Sequence, residues 1–484
     1  AKVLTMSSSN KDLKIYNSLT SQKEVFSSIN NKIVGMYVCG PTVYNTVHLG
    51  NCRTFISFDL IFRYLKHLGY KVRYVRNITD VGHLEDDTQE DKISKRAAIE
   101  KMEPMEIVQK YTNEFRNVLG KFNLLNPNIE PTATGHIIEQ IEMIQKIINN
   151  GFAYEKNGSV YFDLKEFTKK YKYGRLSNRN LDDLINESRQ LQGSTEKKNP
   201  QDFALWKKAG KKHIMKWQSP WGYGFPGWHI ECSAMGHKYL GKKFDIHGGG
   251  IDLKFPHHDC EIAQSESVYG ENPANYWIHT NMLTLNGKKM SKSIGNSVFP
   301  TEIFSGSNKS FSKSFNPMTL KFFMYQAHYR NTLDISNDAL IAAEKGFEKI
   351  KILIDELNNL NESKQNDFNV NEWVNDCYDA LSDDFNSPKL IAKLFDLNKV
   401  VFEIKNGKKN IDSKNLKILK KYFLIFYSEI LGLYEVSSNQ EKYDEILDLV
   451  LELREKERLN KNFKTSDYIR DKLNEFGINV NDQK

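Results

Sequence analysis

Three adjoining stretches near the start of the chain have contrasting hydrophobic patterns. The first is a short apolar run, KIVGMYVCG (32–40), which ends in a Cys-Gly-Pro turn and predicts a buried strand. From Asn51, apolar residues recur every three to five positions as far as Gly69, which predicts a helix and its stop. A second strand is predicted for KVRYVRNIT (71–79). Strand, helix and strand form a βαβ unit, so we predict a parallel sheet in an α/β domain.

The pattern changes after residue 120 and changes back near residue 221. Between these points, one helical stretch (HIIEQIEMIQKIINNG), one strand-like stretch (GSVYFDL) and a Lys-rich segment predict an inserted region. Elements of the α/β type resume in WHIECSAMGHKYL and KFDIHGGG, so we expect the sheet to be completed after the insertion. From about Thr301 the periodicity is helical. The segment ESKQNDFN (362–369) has the composition of a linker that precedes a separate α-helical domain.

Composition limits the broad class of the protein. Of 484 residues, 39% are hydrophobic and 27% are charged, which is ordinary for a globular protein and, by length, predicts about three domains. The longest apolar runs are interrupted by charges well short of the roughly 20 residues that a membrane helix needs. The polar N-terminus lacks the apolar core of a secretory signal, so we expect a cytoplasmic protein with no membrane partner. A net charge of +7 is compatible with a polyanionic partner without identifying one.

The cysteines narrow the chemistry only partly. They are Cys39, Cys52, Cys232, Cys260 and Cys377. An odd, sparse set in a long intracellular chain argues against a disulfide framework. For Cys39 it leaves metal binding, nucleophilic catalysis and simple packing as open alternatives. Cys39 follows the first predicted strand directly, at the carboxyl end where open α/β sheets bind ligands.

Two stretches have side chains that can hold phosphate groups. NGKKMSKSIGN (286–296) offers Lys289 and Lys292 as point charges on either side of Met-Ser, although a solvated basic loop has the same composition. HLGN (48–51) offers the imidazole of His48, and Gly50 permits a close backbone approach. It lies at the predicted start of a helix, whose N-terminus favours anions. Neither stretch is specific by itself.

A third stretch, FPHHDCEIAQSE (255–266), contains donors for a metal ion. His257 and Glu261 are four positions apart, on one face of a predicted helix, and can bind zinc or form an ordinary exposed pair. Cys232 lies at the opening of another predicted helix, where a thiolate is favoured. Spacing does not establish that these residues and Cys39 form one site, because they do not fall in a local Cys-x-x-Cys pattern.

Seven motifs in order over nearly the whole chain resemble those of bacterial-type cysteinyl-tRNA synthetases, which are class I aminoacyl-tRNA synthetases. They are CGPTVYNTVHLGNCRTF, VRNITDVG, DFALWK, GWHIECSAM, DIHGGGIDLKFPHHDCEIAQSE, KMSKSIGN and DDFNSP. The resemblance implies an α/β protein in which a Rossmann-type parallel-sheet catalytic domain carries an inserted connective domain and precedes a C-terminal α-helical domain. The implied boundaries are 20–125 and 221–300 for the two catalytic halves, 126–220 for the insertion, 301–365 for a stem-contact region and 366–484 for an anticodon-binding domain.

The resemblance also implies a zinc site and an amino-acid pocket. The residues that match the zinc ligands, for one ion per chain, are Cys39, Cys232, His257 and Glu261. The residues that match the amino-acid pocket are Thr79 and Trp228. Zinc would serve selection, because serine differs from cysteine only by oxygen for sulfur and shape alone is a poor filter. Since four protein ligands resemble a closed structural site, we expect one of them to be long or displaceable.

For ATP, the resemblance implies a second set of residues. The expected catalytic residues are His48, Lys289 and Lys292. The expected ATP-binding residues are His48, Gly50, Asn51, His247, Gly248, Gly249, Gly250, Lys289 and Lys292. Asn51 replaces the second histidine of the HIGH signature, and it can donate a hydrogen bond but cannot carry a proton. Residues 247–250 match the family's loop beside the adenylate.

The implied activity is ATP-dependent ligation of L-cysteine to tRNA(Cys) through a cysteinyl-adenylate, with Mg²⁺ entering with ATP and the protein acting as a monomer. The tRNA would meet basic and aromatic residues of the last helices, namely Lys461, Phe463, Lys464, Tyr468, Arg470 and Lys472. Two alternatives remain at this point. A mycothiol-type ligase would pass cysteine to an amino sugar but lacks a long anticodon-binding domain, and a non-catalytic zinc-containing RNA-binding paralogue would be expected to lose His48 or the lysine loop.

Overall fold

The computed structural model describes residues 12–82, 92–179, 196–211, 213–290, 295–434, 439–475, 478 and 480. Lys292 and nearly all of the segment 82–91, for which the sequence predicts no role, lie outside these ranges. The strands in the described part of the chain are β1 (Lys14–Asn17), β2 (Gln22–Val25), β3 (Ile33–Val38), β4 (Lys71–Arg76), β5 (Ala153–Lys156), β6 (Ser159–Phe162), β7 (Phe203–Lys208), β8 (Gly224–Pro226), β9 (Phe244–Gly250), β10 (Ala274–Thr280), β11 (Leu283–Leu285), β12 (Lys288–Lys289) and β13 (Leu333–Ile335).

The helices of the same ranges are α1 (Leu49–His67), α2 (Lys92–Glu100), α3 (Pro104–Lys121), α4 (Ile137–Asn149), α5 (Leu164–Thr168), α6 (Trp228–Leu240), α7 (Asp259–Tyr269), α8 (Pro300–Ser305), α9 (Pro317–Tyr325), α10 (Asn337–Asn358), α11 (Val370–Ser382), α12 (Ser387–Lys405), α13 (Ser413–Leu424), α14 (Asn439–Leu459) and α15 (Phe463–Glu475). None of them combines the length and the apolar character that a membrane crossing requires.

A parallel sheet with the strand order β10-β9-β3-β4 joins strands from both sides of the insertion. The predicted βαβ unit is confirmed, because β3 and β4 pair in parallel and α1 connects them. Strands β9 and β10 lie beyond the insertion in sequence and extend the sheet on the other side of β3. The prediction that the sheet is completed after the insertion is therefore confirmed, as is the parallel-sheet α/β fold.

Helix α1 begins at Leu49 rather than at Asn51, with His48 as its N-terminal cap, and Gly69 follows its end with φ +85°. Glycine adopts this left-handed conformation without a steric penalty, which explains the stop that the sequence predicts. The helix is buried on nearly every side, not only along one stripe. Three of its charged side chains, Arg53, Asp59 and Arg63, are therefore buried with their hydrogen-bonding partners inside the protein.

An antiparallel sheet with the order β5-β6-β7-β8 takes three strands from the expected insertion, and its edge strand β8 lies just beyond residue 220. The aromatic rings of Phe162 and Phe203, on β6 and β7, stack with their centroids 4.7 Å apart. Of its strands only β6 is predicted by the sequence, because β5, β7 and β8 lack a clear alternation of apolar and polar residues.

A small sheet of three strands carries the start of the lysine motif. Strand β11 pairs antiparallel with β12 and parallel with β13, so β11 and β12 form a hairpin that ends near the lysine motif. We call this pair of strands the lysine hairpin.

In the DDFNSP motif, the buried carboxylate of Asp384 accepts hydrogen bonds from the Tyr16 amide, the Tyr329 hydroxyl and the Arg330 guanidinium.

The chain forms two compact units, residues 1–433 and 434–484. The first contains every element up to α13. In the second, α14 and α15 pack against each other. The domain boundaries expected within the first unit remain predictions.

Candidate functional site

Four buried side chains from distant parts of the chain converge beside the carboxyl end of β3. The Cys39 sulfur lies 3.7 Å from the Cys232 sulfur and 3.6 Å from a carboxylate oxygen of Glu261. The His257 Nε2 atom lies 2.9 Å from the same carboxylate oxygen. One donor atom from each residue lies within 4.8 Å of all the others. The structure therefore brings together all four residues that the sequence proposes as zinc ligands.

Regular elements position each of these donors. Cys39 directly follows β3, and its amide donates to the Gly248 carbonyl of β9 at 3.1 Å. Cys232 lies on α6, in its buried stretch 230–236. His257 lies in the turn that leads into α7 and meets Glu261 one helical turn later, as their four-residue spacing predicts.

Electrostatics within the cluster favour binding of a cation. Burial raises the pKa of Glu261, but the imidazoles of His247 and His257 outweigh this effect and lower the pKa to about 2. Burial lowers the pKa of His257, whereas Glu261 and Cys232 raise it to about 10. The His257 proton thus neutralises a buried carboxylate. A divalent cation bound at this nitrogen would take over that role.

The two thiols differ in their acidity. Burial raises the pKa of Cys232, but hydrogen bonds from Cys39 and His257 outweigh it, so the net pKa is lowered. Burial is the main cause that raises the pKa of Cys39 well above its ordinary value, and the neighbouring Cys232 raises it further. Two thiols, one imidazole and one carboxylate form a donor set that suits zinc, and the four buried donors fit that ion.

A second layer of imidazoles supports this cluster. His247 Nε2 lies 2.6 Å from the second carboxylate oxygen of Glu261, and His258 Nε2 lies 3.3 Å from the Cys39 sulfur. His279 continues the layer, with its Nε2 atom 2.8 Å from His258 Nδ1. Cys39, Glu261, His247 and His258 also form a group that could hold a metal ion. Sequence reasoning missed His258 and His279, and the His-His doublet at 257–258 is the only local signal for the former.

Residues 247–250 differ from the expected loop, because they form the last part of strand β9. The imidazole of His247 contacts Glu261 and stacks on Trp277, with ring centroids 4.4 Å apart. A Cβ atom on Gly248 would lie 2.1 Å from the Phe58 ring of α1. The glycine thus permits β9 and α1 to pack closely, which is a structural reason for its presence beside any role toward ATP.

The start of α1 presents the residues that the sequence proposes for ATP. His48 caps the helix, and its Nδ1 atom accepts a hydrogen bond from the Gly50 amide at 3.4 Å. Asn51 is exposed in the first turn. The Met290 methyl group would lie 4.0 Å from a Cβ atom on Gly50, so the end of the lysine hairpin is close to this helix terminus.

The lysine hairpin carries Lys289 on β12. Its side chain is exposed, and its backbone carbonyl accepts a hydrogen bond from the side-chain nitrogen of Asn296 at 3.0 Å. Lys292, the second lysine of the motif, lies outside the described residues. The described part of the motif thus offers one cation near the N-terminus of α1.

Thr79 and Trp228, proposed for the amino-acid pocket, both lie near the cysteine cluster. The Thr79 hydroxyl is buried and accepts a hydrogen bond from the side-chain nitrogen of Asn77 at 3.1 Å, while Asn77 Oδ1 lies 3.7 Å from the Cys232 sulfur. The Trp228 ring packs on His257 with centroids 4.4 Å apart and is 37% exposed, so it covers the cluster from the solvent side.

The remaining residues singled out by sequence lie elsewhere. Cys52, Cys260 and Cys377 are buried free thiols. In the second unit, Phe463 and Tyr468 are exposed, and Arg470 forms ion pairs with Asp467 and Asp471.

Comparisons with known proteins cover nearly the whole chain. Residues 25–345 match the family model described as the tRNA synthetases class I (C) catalytic domain, and residues 377–435 match the DALR domain. The cysteine--tRNA ligase of Bacteroides thetaiotaomicron is 51% identical over 480 residues, which cover 98% of this chain and 97% of that protein. The cysteine--tRNA ligase of Cytophaga hutchinsonii is 52% identical over 487 residues, with the same coverage of 98% and 97%.

Solved structures of other synthetases share the fold. Mycobacterium tuberculosis methionyl-tRNA synthetase in complex with methionyl-adenylate superposes with a TM-score of 0.58 at 12% identity, over 86% of this chain and 94% of that chain. The leucyl enzyme LeuRS from Agrobacterium radiobacter K84, in a ternary complex with tRNA, superposes with a TM-score of 0.57 at 11% identity, over 84% and 85% of the two chains.

Proposed function

The chain belongs to the cysteine--tRNA ligase family of class I aminoacyl-tRNA synthetases, and we propose that it activates L-cysteine as a cysteinyl-adenylate at the cluster of Cys39, Cys232, His257 and Glu261. The observation that carries the proposal is the position of this cluster. It lies at the carboxyl end of β3, and the chain leads from Cys39 directly to the start of α1, which His48 caps. Groups that can bind a thiol and groups that can bind phosphates therefore belong to one edge of the sheet.

The first step joins the cysteine carboxylate to the α-phosphorus of ATP. A carboxylate oxygen forms the new bond to phosphorus, the bond from the α-phosphorus to the bridging oxygen breaks, and pyrophosphate leaves with that electron pair. No protein nucleophile is needed, so the protein acts by positioning and by stabilising charge. Lys289 and Lys292 bind the β- and γ-phosphates, and Mg²⁺ enters with ATP.

His48 and the start of α1 bind the phosphates from the opposite side. The amide groups of the first helical turn and the helix dipole favour an anion there, and Gly50 leaves the backbone open to approach. Asn51 is exposed beside them and donates a hydrogen bond without exchanging a proton. The arrangement therefore holds ATP without acid–base chemistry at this position.

Selection of cysteine rests on the buried cluster. Cys39, Cys232, His257 and Glu261 would hold one zinc ion. When bound, zinc supplies a soft Lewis acid that favours the sulfur of cysteine over the harder and less acidic hydroxyl of serine. Trp228 packs on His257 and limits access of water to this region, and Thr79 forms a neighbouring polar wall.

In the second step, the terminal ribose hydroxyl of tRNA(Cys) attacks the activated carbonyl and AMP leaves. The exposed Phe463 and Tyr468, together with the neighbouring basic residues, are suited to stack on and to contact unpaired anticodon bases. Relatives that match both the catalytic and the helical regions at full length favour tRNA over an amino sugar as the acceptor.

Two measurements test the proposal. Purified protein is assayed for cysteine-dependent exchange of pyrophosphate into ATP and for charging of tRNA that bears the GCA anticodon. We expect both activities, together with about one zinc ion per chain. Absence of exchange would refute the adenylate step, whereas exchange without charging would refute tRNA(Cys) as the acceptor.

A further inference from the structure

Arg53 is a fully buried arginine, 1% exposed, that binds backbone carbonyls instead of a carboxylate. Its Nη1 atom donates to the carbonyls of Asn281 and Met282 at 3.0 and 2.9 Å, and its Nη2 atom donates to the carbonyl of His328 at 3.1 Å. No described carboxylate forms an ion pair with it. A buried cation without a counter-ion is costly, so the three carbonyls must offset much of the lost hydration.

The three carbonyls belong to two segments at the base of the lysine hairpin, one that leads into β11 and one that precedes its pairing partner β13. Residues 281–282 lead directly into β11, and residue 328 shortly precedes β13, which pairs with β11. The two segments are also joined to each other. The Asn281 amide nitrogen donates to the Tyr329 carbonyl at 2.8 Å, and the Asn281 side chain donates to the Arg330 carbonyl at 2.9 Å.

Arg53 links this base to the start of α1. It lies little more than one turn after His48 on the same rigid helix. The lysine hairpin carries Lys289, and the adjoining Met290 lies close to Gly50. The contacts that hold the base of the hairpin to α1 therefore contribute to the separation between His48 and the lysine motif, beside the hydrogen bond from the Leu49 amide to the Val298 carbonyl at 3.1 Å.

We propose that Arg53 is a positioning residue that fixes the lysine hairpin relative to His48 for formation of the adenylate, an inference that rests on the proposed function. A guanidinium group presents several N–H donors in a rigid fork, which is why one side chain reaches three carbonyls of two segments. Burial lowers the pKa of Arg53 to about 10, so the group stays protonated and keeps all its donors near neutral pH.

The variant Arg53→Lys tests this role, because lysine keeps the charge but loses the fork. We expect the kcat of ATP–pyrophosphate exchange to fall by about tenfold to a hundredfold, as is typical of small misplacements of catalytic groups. The KM for ATP should rise. Cysteine binding measured by calorimetry and zinc content should stay unchanged, because the cysteine cluster does not contact Arg53.

Tyr64→Phe is the matched control on the same helix. It removes one buried hydrogen bond, between the Tyr64 and Ser382 hydroxyl groups at 2.8 Å, and leaves the hairpin untouched. We expect a lower melting temperature with unchanged exchange kinetics. Equal losses of exchange and of cysteine binding in Arg53→Lys, or unchanged exchange, would overturn the positioning role.

Asn281→Ala provides a second test if Arg53→Lys does not fold. It removes the hydrogen bonds that the Asn281 side chain donates to the Arg330 carbonyl at 2.9 Å and accepts from the Thr332 hydroxyl at 3.4 Å and the Met282 amide at 2.7 Å. The first two join the two segments, and the Arg53 side chain stays intact. A selective fall in exchange of about threefold to tenfold supports the role, and unchanged exchange overturns it. Absence of exchange in the unmodified protein would refute the proposed adenylation itself, which distinguishes the two failures.

Discussion

The sulfur atoms of Cys39 and Cys232 lie 3.7 Å apart, although 193 residues separate the two cysteines in the chain. The parallel pairing of β3 with β9 and the packing of α6 against β3 create this proximity. Both thiols are buried and face the same carboxylate and imidazole, an arrangement that has a chemical use when a metal ion binds.

Cys39→Ser should therefore lower the zinc content of the purified protein and weaken its preference for cysteine over serine. The hydroxyl is a harder and less acidic donor than the thiol, so the serine would bind zinc poorly and the site would keep only three effective ligands. Metal analysis and the ratio of cysteine-dependent to serine-dependent exchange measure the two effects. Cys377→Ala, which alters a buried thiol outside the cluster, should leave both unchanged. Full zinc content and unchanged selectivity in Cys39→Ser would remove Cys39 from the site.

Lys289→Ala should depress exchange by about a hundredfold, the typical cost of removing one group that stabilises transition-state charge. Cysteine binding should remain, since the lysine acts on phosphates. The neighbouring Lys288 is also exposed on β12, and its side chain points to the opposite face of the strand. Lys288→Ala is thus a matched control of equal charge change and should retain most of the exchange activity. Similar losses in both variants would indicate a general charge effect.

The sequence predicts those strands and helices that are determined by the pattern of their own residues. The strand that ends before Cys39, the helix after His48 and the strand at residues 71–76 follow from hydrophobic periodicity and a stop at Gly69. The β1–β2 hairpin and three strands of the β5-β6-β7-β8 sheet are not predicted, because their residues carry mixed apolar and polar patterns. Their pairing partners, more than their own residues, make them strands.

In the candidate site, too, the sequence predicts contacts between residues that are close in the chain but not those between distant residues. The spacing of His257 and Glu261 predicts their contact, since both lie within one helical turn of each other. Local spacing does not predict that Cys39 and Cys232 join them, and the resemblance to a family supplies that grouping. Neither source predicts the roles of His258 and Arg53, because each depends on the position of distant backbone and side-chain atoms.

Asp384→Asn should destabilise the protein by about 2 to 3 kcal/mol, because a buried charged acceptor of several hydrogen bonds is replaced by a neutral amide. The backbone of Asp384 has φ +58°, which asparagine tolerates, so the change isolates the charge. The midpoint of thermal unfolding measures the effect. Asp383→Asn breaks more exposed ion pairs with Lys23 and Lys389 and should cost less than about 1 kcal/mol. Equal costs at both positions would contradict the argument.

The last prediction concerns a buried lysine that shares its counter-ion. Lys321 Nζ lies 3.3 Å from the Asp59 carboxylate, which also binds Arg63 at 2.7 Å, and it donates to the Gly432 carbonyl at 3.2 Å. Burial lowers the pKa of Lys321 to about 8, because Asp59 only partly offsets the lost hydration and Arg63 adds repulsion. In the unfolded chain the same amine keeps its proton up to a pKa of about 10.4.

Between pH 8 and about 10.4, the unfolded chain therefore binds a proton that the native protein has released, and the contribution of Lys321 to stability rises with pH. Well below pH 8 both states are protonated and the contribution is constant. We expect the stability of the wild type relative to Lys321→Met to increase by about 1.5 kcal/mol from about pH 8 to about pH 9.5, measured by urea unfolding. The exposed Lys349, changed to Met, should show no such trend. If the stability difference between the wild type and Lys321→Met stays constant or falls over this range, the buried Lys321 amine beside Asp59 does not have the lowered pKa argued above.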